Sequence, residues 1–328
     1  MKAIKTLAMA ALATAVFASC SSEDELAQSN YPMDNVVRIM TSVDGMNTRA
    51  SYGNSTDKLK SFGFCIKNAN SEKYTYDNIK VSQEGYNWIP ATQMLWQNST
   101  TAVDILAYAP YQETTEDANG KVKVFGKTDY AFSVQADQSD VEDYSSDLIV
   151  YKQTGFTPGT KLNTNQAVNV AFTHLLSQLN LIIELRDQFN TNNNTVTKGF
   201  VTDVKVNGTI ISSKVDFSAS PISVQVDGTQ TAAITPETTG FTPAENATAH
   251  AVFNYSAIVI PQTVAAGNFS ISFKVNNTEY IWTATDAVTF EFGKKHELHL
   301  LAGKDVVQGG AISAKPWGDE TITEKETD

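Results

Sequence analysis

Apolar residues recur at every second position along this chain, and that period constrains the fold more than any other feature. Val37, Ile39, Thr41 and Val43 line one face of a predicted strand from Val36 to Val43. Phe62, Phe64 and Ile66 line another, as do Phe253, Tyr255, Ala257 and Val259, and then Phe269, Ile271, Phe273 and Val275. Thr, Asn, Ser and Val are plentiful and only 18% of residues are charged, a mixture that favours strands and turns. Phe172, Leu175, Leu176 and Leu179 have helical spacing, over a stretch too short for a helix stable by itself. From Leu179 the period returns to two through Leu181, Ile183 and Leu185, which places a domain boundary between residues 174 and 175. The chain of 328 residues suits two domains, and short strands between turn residues make each a sandwich. Asn207-Gly208 predicts a hairpin, and Asn276-Asn277 a turn between strands.

A net charge of -12 argues against nucleic acid as a partner, because phosphate binding needs a basic face. Lys2 and Lys5 precede an apolar, Ala-rich run from Leu7 to Phe17, the pattern of a signal peptide over residues 1–19. Phe17-Ala18-Ser19-Cys20 resembles a bacterial lipobox, which would make Cys20 the lipid-modified first residue, carrying acyl chains such as palmitate. The acidic run Ser21 to Glu25 resembles a surface-export signal, and equally a solvated linker. Beyond the N-terminus there is no apolar run of about 20 residues, so no helix spans a membrane. With Cys20 lipidated, Cys65 has no partner for a disulfide and reads as a small strand residue.

The chain carries few residues in patterns that suggest chemistry. His296 and His299 lie three apart on a predicted strand and so face opposite sides, which is poor geometry for a metal. His174 reads as a core histidine, and His250 shows no evident partner. Asp137, Asp140, Glu142, Asp143 and Asp147 lack the spacing of a calcium loop and read as an exposed acidic loop. There is no nucleophile elbow, P-loop or dinucleotide fingerprint, so neither an enzyme nor a cofactor is expected.

The stretches VVRIMTSVDGMNTRA (36–50), LAYAPY (106–111), SSDLIV (145–150), FTHLLSQLNLII (172–183) and AISAKPW (311–317), in that order behind the lipobox, resemble the fimbrillins. These are lipoprotein subunits of bacterial type V pili. The resemblance implies two tandem transthyretin-like Greek-key β-sandwich domains, over residues 50–174 and 175–328, behind a lipidated leader over residues 20–49. It also implies export to the outer membrane and then to the cell surface, and cleavage by an arginine-specific protease between Arg49 and Ala50. Loss of the leader strand, with Val37, Ile39, Thr41 and Val43, would open a groove for a strand of another fimbrial subunit. Adhesion to a host or bacterial surface ligand would follow. The alternative is an anchored surface lipoprotein that binds glycan through exposed aromatic residues.

The energetics of such a leader are substantial. Burying three or four of its apolar side chains is worth roughly 5–10 kcal/mol, which approaches the 5–15 kcal/mol or so that stabilises a whole domain. An emptied groove would present an apolar floor and an open backbone edge, which another strand satisfies together. In stalk subunits of the family the C-terminus supplies that strand. Here Gly318 to Asp328 has Ile322 as its single large apolar residue. Either the donor begins nearer Val306, or this subunit accepts a strand without donating a good one, as a tip or accessory subunit would.

Overall fold

A computed structural model describes residues 30–43, 58–113, 124–190 and 196–317. Eight strands occupy the first part of the chain: β1 (Arg38–Val43), β2 (Ser61–Lys67), β3 (Tyr76–Glu84), β4 (Asn87–Pro90), β5 (Val103–Ala109), β6 (Tyr130–Ser133), β7 (Ile149–Phe156) and β8 (Ala167–His174). Seven of them form one sheet in the order β1-β8-β7-β5-β2-β3-β4. The central strands are apolar on both faces because both faces are covered. Phe62, Phe64 and Ile66 of β2 and Ile105, Ala107 and Ala109 of β5 point into one core. Cys65, Leu106 and Tyr108 on the opposite face join a second core. Position 63 of β2 is glycine because a Cβ there would collide with the Tyr108 ring.

The rest of the chain adds β9 (Ser177–Leu185), β10 (Val201–Ile210), β11 (Ser212–Asp216), β12 (Ser223–Val226), β13 (Thr231–Ile234), β14 (Glu237–Thr242) and β15 (Ala251–Val259). It continues with β16 (Gln262–Val264), β17 (Ser270–Val275), β18 (Thr278–Thr283), β19 (Val288–Phe290), β20 (Lys294–Ala302), β21 (Val307–Gly309) and β22 (Ser313–Pro316). The sheet β14-β15-β9-β20-β21 and the sheet β13-β10-β17-β18 share one core, to which Leu181, Ile183, Phe253, Val206, Ile271 and Phe273 all contribute. The protein is all-β, and its sheets cover one another as in a sandwich. Among the described residues no helix is long and apolar enough to cross a membrane.

Four details differ from the sequence reading. The helical spacing at Phe172 to Leu179 belongs to two strands, with Leu175 and Leu176 linking β8 to β9. Pairing of β8 with β1 and β7, and of β9 with β15 and β20, overrides that local pattern. Asn207-Gly208 is no hairpin turn. It sits inside β10, where the register against β13 shifts between Val206 and Thr209, and Gly208 has φ +94. Such an irregularity inserts residues without reversing the chain. β6, expected to pair within residues 50–174, pairs instead with β11, and Tyr130 and Phe132 enter the core shared with later strands. Lys152 reinforces that tie by donating to the carbonyls of Phe217, Ser218 and Ala219 at 2.8, 3.0 and 2.8 Å. Lastly, the stretch from Val307 to Pro316 is already paired, since β21 and β22 both bond to β20. The final segment, residues 318–328, lies outside the described residues.

Candidate functional site

β1 is the edge strand of the seven-stranded sheet and pairs in parallel with β8, in a register running from Arg38 opposite Ala167 to Val43 opposite Phe172. The alternation of a strand turns Val37, Ile39, Thr41 and Val43 inward. Val37 is 3% exposed and Ile39 and Val43 are each 6% exposed, in a core shared with Phe62, Phe172, Trp96 and Phe156. The Thr41 hydroxyl is buried there with no hydrogen-bond partner among the described residues. On the outer face Met40 is half exposed, and its Sδ accepts from the side-chain amides of Asn163 and Asn165 at 3.3 Å each. Arg38 pairs with Asp34 at 2.6 Å in solvent, where it holds the Asp34 carboxyl below its ordinary pKa. An ion pair this exposed adds little to stability.

The segment just before β1 is pinned to residues 94–96, which follow β4. Val37 N donates to Met94 O at 3.0 Å, Trp96 N donates to Asn35 O at 2.8 Å, and Val36 bridges Leu95. Residues of β1 and β4 line a cleft of about 780 Å³. Arg38, Met40, Trp88, Ile89 and Gln93 are among the residues that line it. Cys20, Arg49 and Ala50 lie outside the described residues.

The histidines find structural partners. His296 is buried, and its Nε2 accepts from the Glu291 N–H at 3.0 Å. His299 points to the opposite face and meets Glu184 at 2.6 Å. His250, which shows no partner in the sequence, binds the same carboxylate. Burial opposes ionisation of Glu184, yet the two imidazoles outweigh it and the pKa is lowered. His174 Nδ1 meets Asp147 Oδ1 at 2.9 Å with both side chains buried, and its ring stacks on Trp317 at 4.0 Å. Asp147 thus leaves the acidic loop for the core. By contrast Asp137, Asp140 and Asp143 accept from backbone N–H groups two residues on. The Cys65 thiol is buried, its pKa pushed well up by burial and by the nearby Asp77, so it is unreactive. Among the described residues no group of three His, Cys, Asp or Glu has the geometry to hold a metal ion.

One of these histidines gives a testable pH dependence. Burial lowers the His296 pKa below 6.5, so the unfolded chain takes up the proton first as pH falls. Its contribution to stability is complete above pH ~6.5 and is lost as pH drops from there towards the folded pKa. Urea midpoints measured from about pH 7.5 to 5.5 should therefore fall more steeply in wild type than in His296→Gln. Equal slopes would rule out this role.

No functionally curated protein matches the chain. Several solved structures share its fold, among them three from Bacteroides. A candidate cell adhesion protein from Bacteroides uniformis is 18% identical with TM-score 0.54, covering 87% of this chain and 99% of that one. A candidate cell adhesion protein from Bacteroides ovatus is 13% identical with TM-score 0.58, covering 86% and 97%. A fimbrial protein from Bacteroides vulgatus is 18% identical with TM-score 0.51, covering 86% and 99%. The fimbrillin-like family model matches residues 48–317, which begins after β1 and ends at the Trp317 that stacks on His174. A match over most of the chain, on an all-β fold, establishes that this protein belongs to the fimbrillin-like family.

Proposed function

We propose that the chain is a subunit of a cell-surface fimbrium and that β1 is a temporary occupant of its sheet. The observation that carries this reading is the setting of β1: an edge strand, bonded along its length to β8 alone among the described residues, that buries Ile39 and Val43 with Val37 just before it. Export as a lipoprotein through Cys20 would hold the precursor at the outer membrane. Cleavage after Arg49 by an arginine-specific protease would leave Ala50 as the new N-terminus and make β1 a separate, replaceable ligand. A strand of another subunit then takes its place by pairing with β8. Arg38 is a poor competing cleavage site, because it lies within the paired part of β1. The protein acts by assembly, with adhesion to a host or bacterial surface ligand as the outcome, and not by catalysis.

The test is incubation of the purified precursor with an arginine-specific protease, followed by N-terminal sequencing and gel analysis in mild SDS. A new N-terminus at Ala50 and ladders of SDS-resistant species are expected, both absent from Arg49→Ala. Assembly that is indifferent to Arg49→Ala overturns the reading. Saturable binding of a defined polysaccharide by an intact protein that never assembles would favour the anchored, glycan-binding alternative.

The unpartnered Thr41 hydroxyl makes the leader weaker than its shape allows. Thr41→Val keeps the shape and removes the hydroxyl, so it should stabilise the precursor by about 1–2 kcal/mol in urea denaturation. After clipping, the same variant should exchange its leader more slowly than wild type.

A further inference from the structure

Arginine is rare in this chain. Of the 24 lysine and arginine residues only Arg38, Arg49 and Arg186 are arginine. Arg186 follows β9, a central strand of its sheet. Its backbone N–H donates to Ala302 O at 3.0 Å, and its guanidinium to Gln308 Oε1 at 2.8 Å. Arg38 opens β1, opposite Ala167 of β8. Its guanidinium forks onto Asp34 at 3.1 and 2.6 Å, with the two side chains 40% and 51% exposed. The fork is an arginine geometry, but a pair this exposed stabilises little, so a lysine would serve the fold nearly as well. In a chain that otherwise prefers lysine, the choice of arginine here matters more to a protease than to packing. The Arg38–Ile39 bond also divides the buried residues of the leader, with Val37 on one side and Ile39 and Val43 on the other.

Resting on the reading above, we propose that Arg38–Ile39 is a second cleavage site for an arginine-specific protease, closed while β1 is paired and opened by its departure. Proteolysis favours accessible, unpaired chain, and cutting of a paired segment follows the fraction of time it is open. In the precursor β1 is held by β8 and joined through the chain to β2. After the cut at Arg49 only non-covalent contacts retain it, and it opens more often. Water then adds across the exposed amide: the Arg38 carbonyl carbon becomes a carboxylate, the Ile39 nitrogen becomes an ammonium, and the protease is left unchanged. Neither half rebinds well. Two separate pieces lose the advantage of one linked ligand, and Ile39 would carry its new ammonium into a buried position. The second cut makes loss of the leader irreversible and keeps β8 clear for the next strand. Arg186, within its bonded segment, stays whole throughout.

The test follows the full-length precursor by mass spectrometry during incubation with an arginine-specific protease. In wild type the cut after Arg49 should come first, and the leader should then be lost as two pieces, one ending at Arg38 and one running from Ile39 to Arg49. Arg49→Ala, which keeps β1 joined to β2, should slow the cut after Arg38 at least tenfold. Arg38→Lys should leave the urea midpoint and the cut after Arg49 unchanged, and its released leader should stay whole. Once the protease is inhibited, Arg38→Lys should take its leader back, while wild type does not. Equal rates of cutting after Arg38 in wild type and Arg49→Ala overturn the proposal. So does a wild-type leader that is released and recovered whole, or a cut after Arg186 in folded protein as fast as that after Arg38. Those outcomes leave strand exchange standing. An uncut Arg49, or a clipped leader that never departs, sinks the exchange reading itself and this second cut with it.

Discussion

Ile39→Asp should cost the precursor about 4 kcal/mol or more in urea denaturation, while Met40→Asp, one residue along the same strand, should cost less than about 1 kcal/mol. Ile39 is 6% exposed and packs in the core of the seven-stranded sheet. The substitution forfeits about 1.5–3 kcal/mol of burial and places a carboxylate in an apolar core, which adds several more. Detachment of β1 sets the ceiling. Once the strand leaves, the loss equals the burial of Val37, Ile39 and Val43 together, roughly 5–9 kcal/mol less the chain entropy regained. Met40 looks outward and surrenders only its contact with two asparagine amides. Trp96, buried beside Phe156, reports the transition by fluorescence. Equal effects from the two variants would show that β1 is not seated with Ile39 inward.

Asp147→Ala should destabilise the protein by about 3 kcal/mol. Asp147 and His174 are both buried and meet at 2.9 Å, so removal of the carboxylate strands an imidazole nitrogen away from water. The same imidazole stacks on the ring of Trp317, whose backbone N–H donates to Gly293 O at 3.1 Å, so the damage reaches the end of the described chain. A double-mutant cycle with His174→Gln should give a coupling energy above about 1 kcal/mol, since each change removes the same contact. A single-variant effect below about 0.5 kcal/mol would mean that the pair is idle.

How much of this could be read beforehand depended on range. The inward face of β1 was legible because a strand's period needs no partner to define it. The opposed faces of His296 and His299 followed from the same rule. Partners were not legible. β8 lies far along the chain from β1, and a strand carries no local mark of whom it pairs with. Asp147 looked like one more residue of an acidic loop, since its burial depends on an imidazole supplied by the end of β8. His250 looked solitary because Glu184 reaches it from the neighbouring strand β9, far away in the chain. Asn207-Gly208 satisfied the local signal for a hairpin, and only its neighbours β13 and β17 made it an irregularity inside one strand.

The pairing of β6 with β11 also has a mechanical side. A subunit in a fibre carries load, and load takes the stiffest path through the fold. The β6–β11 ladder, from Ser133 opposite Ser212 to Tyr130 opposite Val215, couples the earlier strands to the later ones. Tyr130 and Phe217 pack beneath it with ring centres 5.0 Å apart, and Lys152 grips the chain just beyond β11. Pulling the two halves apart must break this ladder and expose those rings together. Such a joint resists tension up to a threshold and then fails as one unit, without first stretching like a flexible tether.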